Sequence, residues 1–228
     1  MNIWTHDVGG FSSAIRGMRN PMNSWNKSDS DCCTGGGPLC EACENKPKNG
    51  FCPARETMVY KKFVIGKADK ELSLKLQKAG PEHCKHLRMI FVWVDITAPR
   101  YWWNEFDTYR NGVEKVSCST MHKLMARPLE KGDFENDCLN DRYFEETIKA
   151  INESMRAYEL CKDEDHKKEI WRGIIQALPQ SYLQTRTVCM SYAALRNIVR
   201  QRQGHKLKEW HEFINWAKEL PNSWMIFE

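Results

Sequence analysis

The sequence predicts an α+β domain, and three observations carry that reading. Amphipathic helical patterns dominate the second half of the chain. Strand-length runs, Ile3–Val8, Met89–Val94 and Leu183–Met190, fall among them. There is no internal repeat, and 228 residues suffice for one substantial core with an elaboration.

The elements follow in order. Ile3–Val8 is read as a first strand. Phe11–Asp31 is polar and turn-rich, and its Arg16, Arg19 and Lys27 sit among Asn, Ser and Trp25. That mixture suits an anion-binding loop, with a plain surface loop as the alternative. Cys32–Pro53 is an island of glycine, proline and cysteine. Thr57–Ile65 alternates as a strand does. Lys67–Leu87 is predicted as a helix with Ala68, Leu72, Leu76, Ala79 and His83 on its apolar face, broken or kinked near Gly80–Pro81. Met89–Val94, a continuous apolar run flanked by Arg88 and Asp95, reads as a buried strand. Thr97 is a candidate N-cap and Pro99 a first-turn residue of the next helix. That helix places Trp102, Phe106 and Tyr109 at core spacing and points Tyr101 and Trp103 elsewhere, where a ring could stack on a base.

Gly112 ends this helix, and Met125–Asn140 reads as a loop. Asp141–Cys161 is a helix with Phe144, Ile148, Ile151, Met155 and Tyr158 on one stripe. His166–Ala177 is another, stopped by Pro179. Leu183–Met190 is a strand, and Ala193–Arg202 and Lys206–Leu220 are helices parted by Gly204. Three segments are expected: 1–31 as N-terminal strand and polar loop, 32–56 as a small Cys-rich insertion, and 57–228 as the α+β domain.

Ten cysteines without an export signal read as thiols or metal ligands rather than disulfides. Cys40 and Cys43 form a C-x-x-C knuckle. With Cys33 before it and Cys52 after it, four thiolates could enclose a structural zinc, Cys32 being the substitute for Cys33. An iron–sulfur cluster or a loop of free thiols are the alternatives. The net charge of +4 suits a small anionic ligand and gives no strong nucleic-acid signal. No apolar run approaches the ~20 residues that span a bilayer. Met1–Gly10 lacks the basic and apolar regions of a signal peptide, so cytoplasm is the expected compartment and no membrane is expected as partner.

Candidate binding groups come in two sets. Ser117, Ser119, Thr120 and His122 offer hydroxyls and an imidazole within one short stretch, which suits a phosphate or a pyrimidine edge. Arg196, Arg200 and Arg202 close a helix, where a solvated basic face is the alternative for Arg196 and Arg200.

The order of these pieces resembles the flavin-dependent thymidylate synthases, from Lys67 to Leu220. In that family a Glu-His pair precedes a strand, a turn, a helix and a serine segment. Here His86 precedes Met89–Val94, then Ile96–Thr97–Ala98–Pro99, the aromatic helix and Ser117–His122. Gln176–Ala177–Leu178–Pro179 matches the family's Leu-Pro turn, and the following strand and two helices, with Arg202 and with Glu212–Phe213, follow its later order. The resemblance implies a central sheet with flanking helices. It carries over His86, Ser119, Arg202 and Arg110 as nucleotide or cofactor ligands, and Arg172 stands about one turn from the arginine that precedes Leu-Pro.

The departures are specific. The family's Arg-His-Arg triplet, which grips flavin and nucleotide phosphates, falls on Phe106–Asp107–Thr108, or with a small gap on Tyr109–Arg110–Asn111. Its Asn-Ala-Arg becomes Ser191–Tyr192–Ala193, and Ile175 stands at the usual place of the arginine before Leu-Pro. The resemblance therefore implies two readings. One is an enzyme of nucleotide biosynthesis, a homotetrameric flavoprotein methyltransferase that methylates a dUMP-like pyrimidine deoxynucleotide reductively with FAD and methylene-folate. The other is a non-catalytic protein that binds or sequesters a nucleotide and has lost flavin chemistry.

Overall fold

The structure, a computed structural model, describes residues 1–33, 63–137 and 140–228. In chain order the elements are β1 (Asn2–Gly9), α1 (Phe11–Arg19), β2 (Asp31–Cys32), β3 (Phe63–Val64), α2 (Lys67–Ala79), β4 (Phe91–Pro99), α3 (Arg100–Phe106), β5 (Val113–Ser117), α4 (Thr120–Lys123), α5 (Asp141–Leu160), α6 (Glu164–Ala177), β6 (Leu183–Ser191), α7 (Tyr192–Arg202), α8 (Lys208–Lys218) and α9 (Trp224–Phe227). This is an α+β fold. Four strands hydrogen-bond in the order β1-β4-β6-β5, and β2 pairs antiparallel with β3. Bonds flanking the strands give the directions. Arg100 N donates to Tyr182 O and Tyr192 N to Ile90 O, so β4 and β6 are antiparallel. Cys118 N donates to Thr185 O and Ser191 N to Gly112 O, so β6 and β5 are too.

The chain forms two compact units, and the long strands contribute to both. The first comprises Met1–Trp4, Val94–Arg110 and Lys115–Val188. Its helical core is built by α5 and α6, where Phe144, Ile148, Ile151 and Met155 of α5 pack with Ile174, Leu178, Leu124, Leu129 and Phe134. This is the stripe that the 3/4 spacing predicts. Asp163 caps α6, its carboxylate accepting from His166 N at 2.7 Å. Trp102, Phe106 and Tyr109 are buried as expected. Trp103 is not directed elsewhere: it is fully buried and donates its indole N–H to Gln184 O at 2.9 Å. A buried indole that reaches an acceptor is a stable core residue.

The second unit comprises Thr5–Trp93, Asn111–Glu114 and Cys189–Glu228. Tyr192, Leu195, Ile198 and Val199 of α7 are buried here, as are Trp210 and Phe213 of α8 and Met225 and Ile226 of α9. The Tyr192 hydroxyl donates to Pro221 O at 2.6 Å.

The expected polar loop after β1 is instead helix α1, with Phe11, Ala14, Ile15 and Met18 buried at helical spacing. Gly10 makes the entry at φ 95°, and a Cβ there would strike the Met89 carbonyl.

The helix expected over 67–87 stops at Ala79, because Gly80 takes φ 129°. Its inward residues are Asp69, Ser73 and Gln77 rather than the predicted Ala68, Leu72, Leu76, Ala79 and His83. Hydrogen bonds engage all three side chains, while the buried Gln77 Oε1 has no partner among the described residues.

Strand β4 extends through Pro99 and buries Val92, Val94, Ile96 and Ala98, while Phe91, Trp93, Asp95 and Thr97 stay partly exposed. The run is therefore covered on one face and not on two. Thr97 is a strand residue, its hydroxyl bonded to that of Thr185 at 2.7 Å, and Pro99 takes the N-cap position of α3. Within the expected loop 125–140, short 3₁₀ turns form at Leu124–Ala126 and Lys131–Asp133. Among the described residues no helix is long and apolar enough to cross a membrane.

Candidate functional site

In the first unit, α3 ends against β5 and β6 in a cluster of charge on aromatic rings. Asp107 follows α3. Its carboxylate accepts from Arg186 Nη1 on both oxygens, at 2.8 and 3.0 Å, and from Lys115 Nζ at 2.9 Å. The Arg186 guanidinium lies 4.3 Å from the Trp103 ring centroid, and Lys115 Nζ lies 5.4 Å from that of Phe106. Arg186 Nε donates to Gln184 Oε1 at 3.0 Å. Both cations are largely covered, while the Asp107 side chain is 42% exposed. Burial raises the Asp107 pKa, but the bonds from Lys115 and Arg186 outweigh it and hold the carboxyl below its ordinary value.

The serine segment lies in this unit. Ser117 ends β5 and is exposed. Ser119 is half-buried, and its carbonyl accepts from Lys123 N. His122 lies in α4. Arg110 and Arg172 are exposed, the first beyond α3 and the second on α6.

His86 and Arg202 belong to the second unit. His86 sits in the 3₁₀ turn Lys85–Met89 and is 3% exposed. Its Nε2 is 2.8 Å from the Ser73 hydroxyl, which accepts from Gln77 Nε2 at 3.3 Å. The pKa falls from 6.5 to about 4, chiefly because burial disfavours the imidazolium. The His83 backbone opposes the fall and the Arg196 guanidinium adds to it. Arg202 ends α7 and stacks 4.6 Å from the Trp210 ring centroid.

Arg196 is not on a solvated face. It is 6% exposed, and its Nη1 has no hydrogen-bond partner among the described residues. Burial, then Arg200, lowers its basicity, and a hydrogen bond with Cys84 opposes this.

Of the four expected zinc ligands, Cys33 is buried with a free thiol, while Cys40, Cys43 and Cys52 lie outside the described residues.

Sequence reasoning missed Lys115 and Arg186 as partners of Asp107. The available signal was two long cations on strands beside an aromatic helix, which suits a cation–π cluster. It also missed Asp69, whose signal was the polar 4-residue repeat with Ser73 and Gln77.

No protein-family model and no curated protein matches the sequence. Solved structures do. Two crystal structures of the flavin-dependent thymidylate synthase ThyX from Helicobacter pylori, both with FAD and dUMP, match with TM-score 0.66 at 16% identity. One match covers 99% of this chain and 98% of that chain; the other covers 100% and 98%. The resemblance read from the ordered motifs is therefore borne out at the level of the fold.

Proposed function

We propose that this chain binds a pyrimidine deoxynucleotide of the dUMP kind within a thymidylate synthase fold. The end-to-end likeness to ThyX structures holding dUMP carries the reading. Ser117, Ser119, His122, Arg110 and Arg172 of the first unit, and separately His86 and Arg202 of the second, are the proposed nucleotide-facing groups, offering cations, imidazoles and hydroxyls to a phosphate or a ring edge. The enzymatic form of the reading is reductive methylation of that nucleotide with FAD and methylene-folate in a homotetramer.

FAD brings a diphosphate, and the residues present do not fit it in the manner the resemblance implies. At the ungapped triplet, Phe106 is fully buried, Asp107 is ion-paired, and the Thr108 hydroxyl donates to Glu105 O at 2.7 Å. None offers a cation, and the gapped register supplies a single one, the exposed Arg110. Asp107 at that register is what motivates the alternative, a protein that holds or sequesters a nucleotide without flavin. Calorimetric titration of dUMP, dTMP and FAD tests both. Nucleotide binding that weakens about tenfold or more in Arg202→Ala supports the site, given the worth of a charged hydrogen bond. Failure of wild type to bind either nucleotide overturns the reading. Flavin absorbance in the purified protein favours the enzyme.

A further inference from the structure

We propose that Asp107 is an internal stand-in for a ligand phosphate: it occupies the anion site formed by Lys115 and Arg186 and so excludes diphosphates such as that of FAD. This deepens the nucleotide reading above by assigning the residue that sets which phosphates are accepted.

The geometry is that of a filled anion site. A planar guanidinium and an ammonium converge on one pair of oxygens, at 2.8–3.0 Å, as they would on two phosphate oxygens. The rings of Trp103 and Phe106 form its floor. Only 16% of Arg186 and 18% of Lys115 side-chain surface is exposed, while the Asp107 side chain is 42% exposed, so solvent and salt reach the pair from the carboxylate side. Two positive charges and one negative leave a single positive charge. A diphosphate entering here would meet the Asp107 carboxylate at the position its own oxygens require, and like charges at such range repel. The carboxyl is held ionised by the same two cations, so it does not give way at neutral pH. Arg186 Nη2 makes no hydrogen bond among the described residues, which leaves one donor to receive an anion once the carboxylate is neutralised.

The test is binding of FAD, riboflavin and inorganic pyrophosphate to wild type, Asp107→Asn and Asp107→Ser, each checked for folding by circular dichroism. FAD and pyrophosphate should bind about tenfold more tightly or better to the variants, the gain expected from freeing charged hydrogen bonds. Riboflavin, which has no phosphate, should not change. Adding Lys115→Gln and Arg186→Gln to Asp107→Asn should abolish the gain, and high salt should shrink it. A gain that persists when Lys115→Gln and Arg186→Gln are added to Asp107→Asn would overturn the proposal, because those two cations would then not be its source. A folded Asp107→Asn or Asp107→Ser with no gain, or an equal gain for riboflavin, would also overturn it. Failure to bind dUMP would sink the nucleotide reading alone, since pyrophosphate is measured separately.

Discussion

Asp69→Ala should be among the most damaging single substitutions in this chain. Asp69 has no exposed surface. Its Oδ1 accepts from Arg19 Nε at 2.5 Å. Its Oδ2 accepts from the Ser28 and Ser30 hydroxyls, each at 2.6 Å, and from Asp29 N at 3.2 Å. Asp29 in turn receives the N–H groups of Ala68 and Asp69 at the start of α2. One carboxylate therefore ties α1, the segment 28–30 and α2 together.

Its removal strands Arg19, which is 4% exposed and, among the described residues, keeps a 3.3 Å bond to Ser24 O. Breaking a buried ion pair from one side costs about 3–5 kcal/mol. Some of the lost serine bonds are recovered by water, so a total of about 4 kcal/mol is expected. With a urea slope of about 2–3 kcal/mol/M, the midpoint should fall by about 1.5 M. Urea denaturation followed by tryptophan fluorescence reads this directly. The double variant Arg19→Leu with Asp69→Leu should cost less than Asp69→Ala, because no buried charge is left alone. A single-variant cost below about 1 kcal/mol, or a double variant worse than the single, would refute the reasoning. Burial raises the Asp69 pKa, but bonds from Ser28, Ser30 and Arg19 outweigh it, and the net value lies below the ordinary 3.8. The stability it contributes is present above pH 3.8 and is lost as pH falls through the lowered folded value.

Three further outcomes are expected. His86 is held neutral down to about pH 4 in the folded chain but titrates at 6.5 in the unfolded one. Stability should therefore decline as pH falls from 6.5 toward 4, by roughly 3 kcal/mol. His86→Phe should flatten unfolding midpoints across that window, and an unchanged slope would remove His86 as the cause. For Cys33, Cys40, Cys43 and Cys52, elemental analysis of protein purified without added metal should find about one zinc per chain, as a closed four-thiolate site requires. Freely titrating thiols with no metal would end that reading. Ile151→Ala, at a core position 3% exposed, should lower stability by about 2–5 kcal/mol in the same urea assay.

The candidate site was partly legible. The serine segment and the aromatic helix could be placed by order along the chain, and Asp107 could be seen where a triplet cation was expected. That its carboxylate binds Arg186 could not be seen, because the two residues are separated by 79 positions and meet only when β6 lies beside the helix end. Arg196 shows the same limit: its place near a helix end is compatible with solvent or burial, and packing of α7 chose burial.

By itself the sequence determined the helices whose stability follows from local pattern. In α5 four apolar residues fall on one face, and in α6 an Asp caps the start and Pro179 follows the end. Such signals lie within one or two turns and do not depend on what the helix packs against. Tertiary structure decided α1, the polar inner face of α2 and the one-sided burial of β4. A buried Asp, Ser or His is stable only if a partner from elsewhere in the chain satisfies it. Hydrophobic periodicity contains no information about that partner. The same reason puts the Asp107 cluster beyond local pattern: Asp107 and Lys115 are near in sequence, but Arg186 lies 79 positions from Asp107, and only folding brings it within hydrogen-bond reach.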